Sequence, residues 1–189
     1  RPQRWIGAGY SLIQWLRLRR FEQEVCRRAD LVVSVSDADA EALRKLVPGL
    51  QPLVMPNGIM IEEYAMFEDK APLEEPAFVF TGTMDFRPNV DGALWFVYKV
   101  WPYIRATFAE AHCYIAGRRP HRRLDTVRPM PGIVITGPVH DMRPIINAAT
   151  VYIVPLHVGG GSRLKILEAA SMGKAVVSTT MGAEGFPEA

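Results

Sequence analysis

From Ala77 onward, short apolar segments rich in β-branched residues alternate with longer segments whose apolar residues have helical spacing. The short segments predict buried strands and the longer ones predict helices. The predicted strands are Phe78–Thr81, His112–Ala116, Ile133–Thr136, Val151–Val154 and Ala175–Ser178. The predicted helices are Val90–Arg105, Arg122–Val127, Met142–Ala148 and Arg163–Met172. Regular alternation of this kind, with right-handed crossovers, gives an α/β fold with a parallel sheet covered on both faces.

The connectivity also predicts where a ligand binds. If the five strands take the common doubly wound order 3-2-1-4-5, the order reverses between the first and fourth strands. Ligands of such sheets bind in the crevice at this switch point, outside the carboxyl ends of the strands. The loops there are 82–85 and 156–162.

The second of these loops carries three consecutive glycines, Gly159, Gly160 and Gly161, just before a predicted helix. Glycines let the backbone approach a ligand closely, and a helix N-terminus favours an anion through its unpaired N–H groups and its dipole. Arg163 and Lys165 stand in the first turn, where acids are expected from the macrodipole. Loop, dipole and cations together indicate a phosphate site. The alternative is a pair of solvated cations on an ordinary glycine-rich loop.

Few other residues suggest chemistry. Glu168, one turn further along the helix, is placed to accept hydrogen bonds from a ribose diol, or is an exposed helix residue. Arg118, after the second strand, can add a cation near the site. The backbone around Val139, at the end of the third strand, is placed to meet a base, while Asp141 caps the next helix. The four histidines show neither metal-ligand spacing nor a partnered nucleophile.

Residues 1–76 have a different organisation. A helix over Tyr10–Arg28, a strand over Leu31–Val35, a helix from the Ser36 cap to Leu46 and a strand over Leu53–Met55 are expected. This is the end of an α/β unit whose beginning is absent. Prolines, acids and the turn signal Pro56-Asn57-Gly58 then predict a linker and a domain boundary.

The N-terminal helix combines an apolar face with arginines near Trp15, which is compatible with an anionic lipid surface. We favour instead a solvated basic face on a core-packed helix. The residues expected in the apolar face are Leu12, Trp15, Leu16, Phe21 and Val25.

The overall composition excludes some classes of function. A net charge of +2 gives no special attraction to nucleic acid, and no apolar run approaches membrane-spanning length. Cys26 and Cys113 are far apart in apolar settings, as expected for buried thiols of a reducing compartment. We therefore expect a cytoplasmic protein. The chain begins at Arg1 without Met and stops after Gly-Phe-Pro-Glu-Ala, so we expect it to be a fragment.

Three blocks of the chain resemble the C-terminal half of a family-4 glycosyltransferase. They are 80–92 (Phe-Thr-Gly-Thr-Met-Asp-Phe-Arg-Pro-Asn-Val-Asp-Gly), 137–141 (Gly-Pro-Val-His-Asp) and 161–179, which contains Gly161, Arg163, Lys165 and Glu168. Residues 30–37 and 55–59 resemble the last βα unit of that family's N-terminal domain and its interdomain crossover. The block from Gly161 to Ala169 is the most specific part, and the branch most resembled makes bacterial exopolysaccharides.

The resemblance implies a GT-B enzyme of two Rossmann-like domains that moves a sugar from a nucleotide diphosphate donor, such as a UDP- or GDP-sugar, to a saccharide or lipid-linked acceptor. It also implies retention of configuration, no required metal or cofactor, and peripheral contact with the inner face of the membrane as an option for the full-length protein. Residues 1–56 would end the acceptor-side domain, 57–76 would be the linker, and 77–189 would be the nucleotide-sugar-binding domain, truncated at its C-terminus. The fragment alone is expected to transfer no sugar, because one wall of the cleft is missing.

The resemblance also implies roles for individual residues, although none is assigned as catalytic. Glu168 would bind the ribose and the Val139 backbone would bind the base. The first-strand loop would contribute Gly82 and Thr83. The donor diphosphate would be bound by Gly159, Gly160, Gly161, Ser162, Arg163, Lys165 and Arg118.

The chain departs from the family pattern at three positions. Gly160 stands where many relatives have a Glu that contacts the donor sugar, and Thr83 and Pro88 stand where many have an Arg and a Lys. Two alternatives to a glycosyltransferase remain open. One is a sugar-nucleotide epimerase on the same double-Rossmann frame, and the other is a non-catalytic nucleotide-binding α/β module. The epimerase would need acid/base carboxylates in the cleft, whereas a receiver-like module would need an acidic cluster at the strand ends.

Overall fold

The computed structural model of the protein describes residues 2–159 and 164–186, with side chains from residue 9 onward. The chain forms two compact units that divide between Asn57 and Gly58.

The first unit contains two helices and a short parallel pair of strands. Its elements are α1 (Pro2–Arg28), β1 (Val33–Ser34), α2 (Asp37–Leu46) and β2 (Leu53–Val54). Val33 is in register with Leu53. Ser36 caps α2 as predicted, since its Oγ accepts a hydrogen bond from the Asp39 backbone N–H at 3.1 Å.

Two details of this unit differ from the sequence-based expectation. Helix α1 starts at Pro2 rather than near Tyr10, and strand β1 covers only two residues. The five residues expected to pack α1 into a core are instead exposed, each with between 42% and 64% of its surface accessible. They are Leu12, Trp15, Leu16, Phe21 and Val25. The expectation of a core-packed helix is therefore wrong for this structure.

Residues 58–76, nearly all of the segment 57–76 predicted as a linker, belong to the second unit. It contains one short helix, α3 (Glu62–Ala65). The Ala71 N–H donates to the carbonyl of Pro144 at 2.9 Å. The buried Asn147 side chain donates from Nδ2 to three successive backbone carbonyls, those of Phe67, Glu68 and Asp69, at 3.0, 3.3 and 3.1 Å. These bonds join the segment to Pro144 and Asn147 of the same unit.

The second unit has a five-stranded parallel sheet. Its strands are β3 (Ala77–Thr81), β4 (His112–Ala116), β5 (Ile133–Gly137), β6 (Val151–Val154) and β7 (Ala175–Ser178). They lie in the order β5-β4-β3-β6-β7. This is the predicted doubly wound order, with β3 paired to both β4 and β6.

The helices of the second unit match the predicted ones in position but differ in detail. They are α4 (Arg87–Lys99), α5 (Trp101–Thr107), a 3-10 helix (Arg122–Thr126), α6 (Arg143–Asn147) and α7 (Leu164–Ser171). The single helix predicted over 90–105 is divided at Val100. Pro102, near the start of α5, has no N–H and so cannot make the bond that would continue α4.

The sheet forms the centre of the hydrophobic core. Val79 and Phe80 of β3 and Tyr152 of β6 are almost fully buried, and Trp101 packs edge-on against Phe78 with ring centroids 5.8 Å apart. The Trp101 indole N–H donates to the Pro131 carbonyl at 3.1 Å, so its polar atom is satisfied.

The carboxyl ends of β3 and β4 approach each other unusually closely. Gly82 follows β3 and Gly117 follows β4, and a Cβ atom at Gly117 would overlap the carbonyl oxygen of Gly82. Only a residue without a side chain fits between these two backbones.

We therefore expect Gly117→Ala to lower the free energy of unfolding by at least about 2 kcal/mol, because backbone atoms must move to admit one methyl group. Urea denaturation measures the loss. Gly58→Ala is the matched control, since a Cβ there meets no atom within 4 Å, and it should leave the stability unchanged. Equal stability of both variants would contradict the close approach.

Candidate functional site

A cleft of about 540 Å³ lies at the carboxyl ends of β3 and β6, at the predicted switch point. The loops after β3, β4, β5 and β6 and the first turns of α4 and α7 form its walls. The lining residues are Thr81, Gly82, Thr83, Phe86, Pro88, Asn89, Arg118, Val139, Met142, Leu156, Val158, Leu164, Lys165 and Glu168.

The floor of the cleft is a pair of loops joined by backbone hydrogen bonds. The Gly82 N–H donates to the Ala116 carbonyl at 3.0 Å, and the Met84 N–H donates to the Arg118 carbonyl at 2.9 Å. The His121 N–H in turn donates to the Met84 carbonyl at 2.9 Å. The loop after β3 is thus held against the loop that carries Arg118.

Asn89, in the first turn of α4, also holds the loop after β3 in place. It is 7% exposed, and its Nδ2 donates to the Thr83 carbonyl at 3.0 Å. This contact was not predicted, because the apolar pattern placed the start of the helix at Val90. Pro88 could have indicated the earlier start, because proline is common in the first turn of a helix.

Helix α7 brings Lys165 and Glu168 to one face of the cleft. Ala169 is fully buried and fixes the helix on the core, and residues three positions apart share a helix face. The Lys165 ammonium reaches the end of β3, where Nζ donates to the Thr81 carbonyl at 2.7 Å. It also lies over the Phe80 ring, 4.9 Å from the centroid. A positive charge is therefore fixed at the floor of the cleft.

Glu168 has a partner from outside the sheet. The Tyr64 hydroxyl of α3 donates to Glu168 Oε1 at 3.4 Å. Burial raises the pKa of Tyr64, and the negative charge of Glu168 raises it further, so the phenol remains a hydrogen-bond donor at neutral pH.

The wall after β5 is fixed by a local ion pair. Asp141 accepts two hydrogen bonds from the Arg143 guanidinium, from Nε at 2.9 Å and from Nη2 at 2.7 Å. Its Oδ1 also accepts from the Arg143 backbone N–H at 2.9 Å, but the N-cap of α6 is Met142, so the predicted cap at Asp141 is one residue too early. Hydrogen bonding to Arg143 lowers the pKa of Asp141. Val139, two residues earlier, lines the cleft.

The structure brings six of the predicted site residues together around one cleft: Gly82, Thr83, Arg118, Val139, Lys165 and Glu168. Gly159 lies in the loop after β6, with a left-handed φ of 125° that suits glycine, but it is not among the lining residues. Gly160, Gly161, Ser162 and Arg163 lie outside the described residues.

The described part of the chain shows no group of three or more His, Cys, Asp and Glu side chains that could bind a metal ion. Nor does any helix within it combine the length and the apolar character needed to cross a membrane. His157, near the cleft, packs edge-on against Trp95 with ring centroids 4.2 Å apart.

The family of the chain follows from a comparison with known proteins. Residues 75–189 match the family described as glycosyl transferases group 1, which is more than half of the chain. The chain belongs to this family. An uncharacterized 44.6 kDa protein in the cps region of Klebsiella pneumoniae is 26% identical over 163 residues, which cover 82% of this chain and 40% of that protein.

Solved structures of glycosyltransferases share the fold. HepE of Anabaena, in complex with UDP and glucose, is 15% identical with a TM-score of 0.64, covering 88% of this chain and 48% of its own. Sucrose-phosphate synthase of Thermosynechococcus elongatus is 17% identical with a TM-score of 0.65, covering 87% and 44%. A glycosyltransferase of Rickettsia africae is 14% identical with a TM-score of 0.66, covering 88% and 48%. These likenesses show the α/β fold of GT-B glycosyltransferases, and this chain spans less than half the length of each of these proteins.

The bond from Asn89 to Thr83 gives a test of the cleft floor. In Asn89→Leu the Thr83 carbonyl loses its donor while the side-chain volume changes little, so we expect a loss of about 1–3 kcal/mol in the free energy of unfolding. Urea denaturation of the variant and the wild-type protein measures the loss. Equal free energies of unfolding for the two proteins would contradict the bond.

Proposed function

We propose that this chain contains the donor-binding domain of a retaining, family-4 glycosyltransferase that moves a sugar from a nucleotide diphosphate to a saccharide or lipid-linked acceptor. The observation that carries the proposal is the cleft at the switch point, where a fixed ammonium group and a carboxylate stand three residues apart on α7. The membership of the chain in the group 1 glycosyltransferases supports it. The UDP in the HepE complex supports a nucleotide diphosphate as the ligand class.

The diphosphate fits the part of the cleft around Lys165. The ammonium is held at the carboxyl end of β3 by the Thr81 carbonyl, and the exposed Arg118 lines the same cleft. Two cations around a narrow floor suit a doubly charged group. In this proposal Gly159, Gly160, Gly161, Ser162 and Arg163 of the loop before α7 complete the diphosphate site, and Gly82 and Thr83 form its floor.

The nucleoside fits the opposite end of the cleft. Glu168 lies one turn after the start of α7, and its carboxylate would accept hydrogen bonds from the ribose diol. The base would then lie toward the loop after β5 and meet the backbone at Val139. The Asp141–Arg143 ion pair keeps that loop in place.

The transfer itself would depend on positioning and on electrostatic stabilisation of the leaving diphosphate. Lys165, Arg118 and Arg163 are the cations proposed to stabilise the negative charge that develops as the glycosidic bond to the donor breaks. No catalytic residue is assigned. Retention, an acceptor of exopolysaccharide synthesis, and a cytoplasmic location at the inner face of the membrane are parts of the same proposal.

The described lining favours transfer over epimerisation. An epimerase needs carboxylates for acid/base work at the sugar, and Glu168 is the only carboxylate among the described residues that line the cleft. The proposal assigns that one carboxylate to the ribose.

We expect Arg163→Ala combined with Lys165→Ala to weaken UDP or GDP binding at least about 100-fold, because each charged hydrogen bond to phosphate contributes about 1.5–3 kcal/mol. Titration calorimetry on the double variant measures the change. Lys99→Ala combined with Arg128→Ala is the matched control. It removes the same charge from two exposed positions near the amino ends of the strands, away from the cleft. Similar affinities of the two double variants would refute the diphosphate assignment.

We further expect Glu168→Gln to weaken binding of the ribonucleotide about tenfold and to affect the corresponding 2′,3′-dideoxynucleotide much less, because the lost charge-assisted bonds require the diol. The same calorimetry on both ligands gives the comparison. Glu110→Gln, in the exposed turn before β4, is the control for loss of one negative charge. Equal losses for the two ligands would show that Glu168 supports the fold and not the ribose.

A further inference from the structure

Tyr64 contacts Glu168, one of the residues that line the cleft, from outside the sheet. It lies in α3, in the segment that precedes β3, and its hydroxyl donates to Glu168 Oε1 at 3.4 Å. Both side chains are half-buried. At 3.4 Å this is a long hydrogen bond from a neutral phenol to a carboxylate, and it orients the hydroxyl toward Oε1.

The segment around Tyr64 is fixed to α6 at several points. Asn147 binds the three carbonyls from Phe67 to Asp69, and the Arg143 guanidinium lies over the Phe67 ring, 4.7 Å from its centroid. Arg143 is also the partner of Asp141, two residues from Val139. The segment 62–69 therefore contacts the elements proposed for the ribose and for the base.

Three charged groups near Tyr64 influence how its hydroxyl is oriented. Glu168 attracts the phenol proton, and Arg143 on the neighbouring helix and Glu63 on α3 are the other charged groups that act on it. Of these, Glu168 is the group in hydrogen-bond contact with the hydroxyl. The proton therefore points toward the carboxylate.

We propose that Tyr64 is a positioning residue for nucleotide recognition, whose hydroxyl holds Oε1 of Glu168 so that Oε2 faces the ribose diol. This inference rests on the proposed function, since it assigns a helper to the ribose-binding carboxylate. The nucleoside site would then include a side chain from α3, a helix that precedes the first strand of the sheet.

The test compares Tyr64→Phe with the wild-type protein by titration calorimetry. The probes are UDP and GDP, and 2′,3′-dideoxy-UDP or 2′,3′-dideoxy-GDP for whichever nucleotide binds. The substitution removes one oxygen and keeps the half-buried ring. We expect binding of the ribonucleotide to weaken roughly threefold to tenfold, as for loss of one hydrogen bond, and binding of the dideoxynucleotide to change less than about twofold.

A double-mutant cycle shows whether Tyr64 acts through Glu168. In a Glu168→Ala background the Tyr64→Phe substitution should have no further effect on ribonucleotide affinity. Tyr103→Phe is the control for loss of a phenol oxygen, because Tyr103 is 77% exposed on α5 and does not line the cleft. It should leave both affinities unchanged.

Three results would overturn the inference: equal losses for both nucleotides, an undiminished effect of Tyr64→Phe in the Glu168→Ala background, or tighter ribonucleotide binding by Tyr64→Phe. The last would mean that the hydroxyl competes with the ribose. Failure of the proposed function is a different result, namely that neither UDP nor GDP binds the wild-type protein. If Glu168→Gln discriminates between the two nucleotides and Tyr64→Phe does not, only the role of Tyr64 is refuted.

Discussion

The pairing of β3 with two parallel neighbours determines where this protein can bind a ligand. The chain leaves β3 toward β4 on one side and returns to pair β6 on the other, so the loops after β3 and β6 diverge and leave a crevice between them. The close contact of Gly117 with Gly82 holds the floor of this crevice, because two backbones meet there without side chains. The cleft is thus a consequence of strand order and of two glycines.

The chemistry of the cleft follows from how α7 is seated. Ala169 is fully buried, and this fixes the rotation of the helix so that Lys165 and Glu168 face the cleft. The Lys165 ammonium is held by a backbone carbonyl, an acceptor without formal charge, and so its positive charge is directed without being neutralised by that bond. A fixed cation at the end of a strand and a carboxylate three residues later form an arrangement suited to an anionic group joined to a diol.

Much of this could be predicted from the sequence, because it depends on local patterns. The βα alternation predicted the strands and their order, and six predicted site residues from four separate loops or helices converge on one cleft. What could not be predicted depends on contacts between distant residues. Tyr64 is 104 positions away from Glu168, and no periodicity in its own segment indicates that partner. The exposure of α1 likewise depends on what packs against it, which an apolar pattern does not specify.

The position of Tyr64 also bears on where this domain begins. The family match starts at residue 75, two residues before β3, and so excludes α3. Contacts between residues place the start of the second unit at Gly58, because Asn147 and Pro144 bind the backbone of the segment from Phe67 to Ala71. The two boundaries differ because they depend on different features. The family match depends on the sequence of the sheet and the glycine-rich loop, whereas the boundary at Gly58 depends on hydrogen bonds between α6 and the segment that precedes β3. If the wall of the nucleoside site includes Tyr64, the functional domain begins with the segment that sequence patterns assign to a linker.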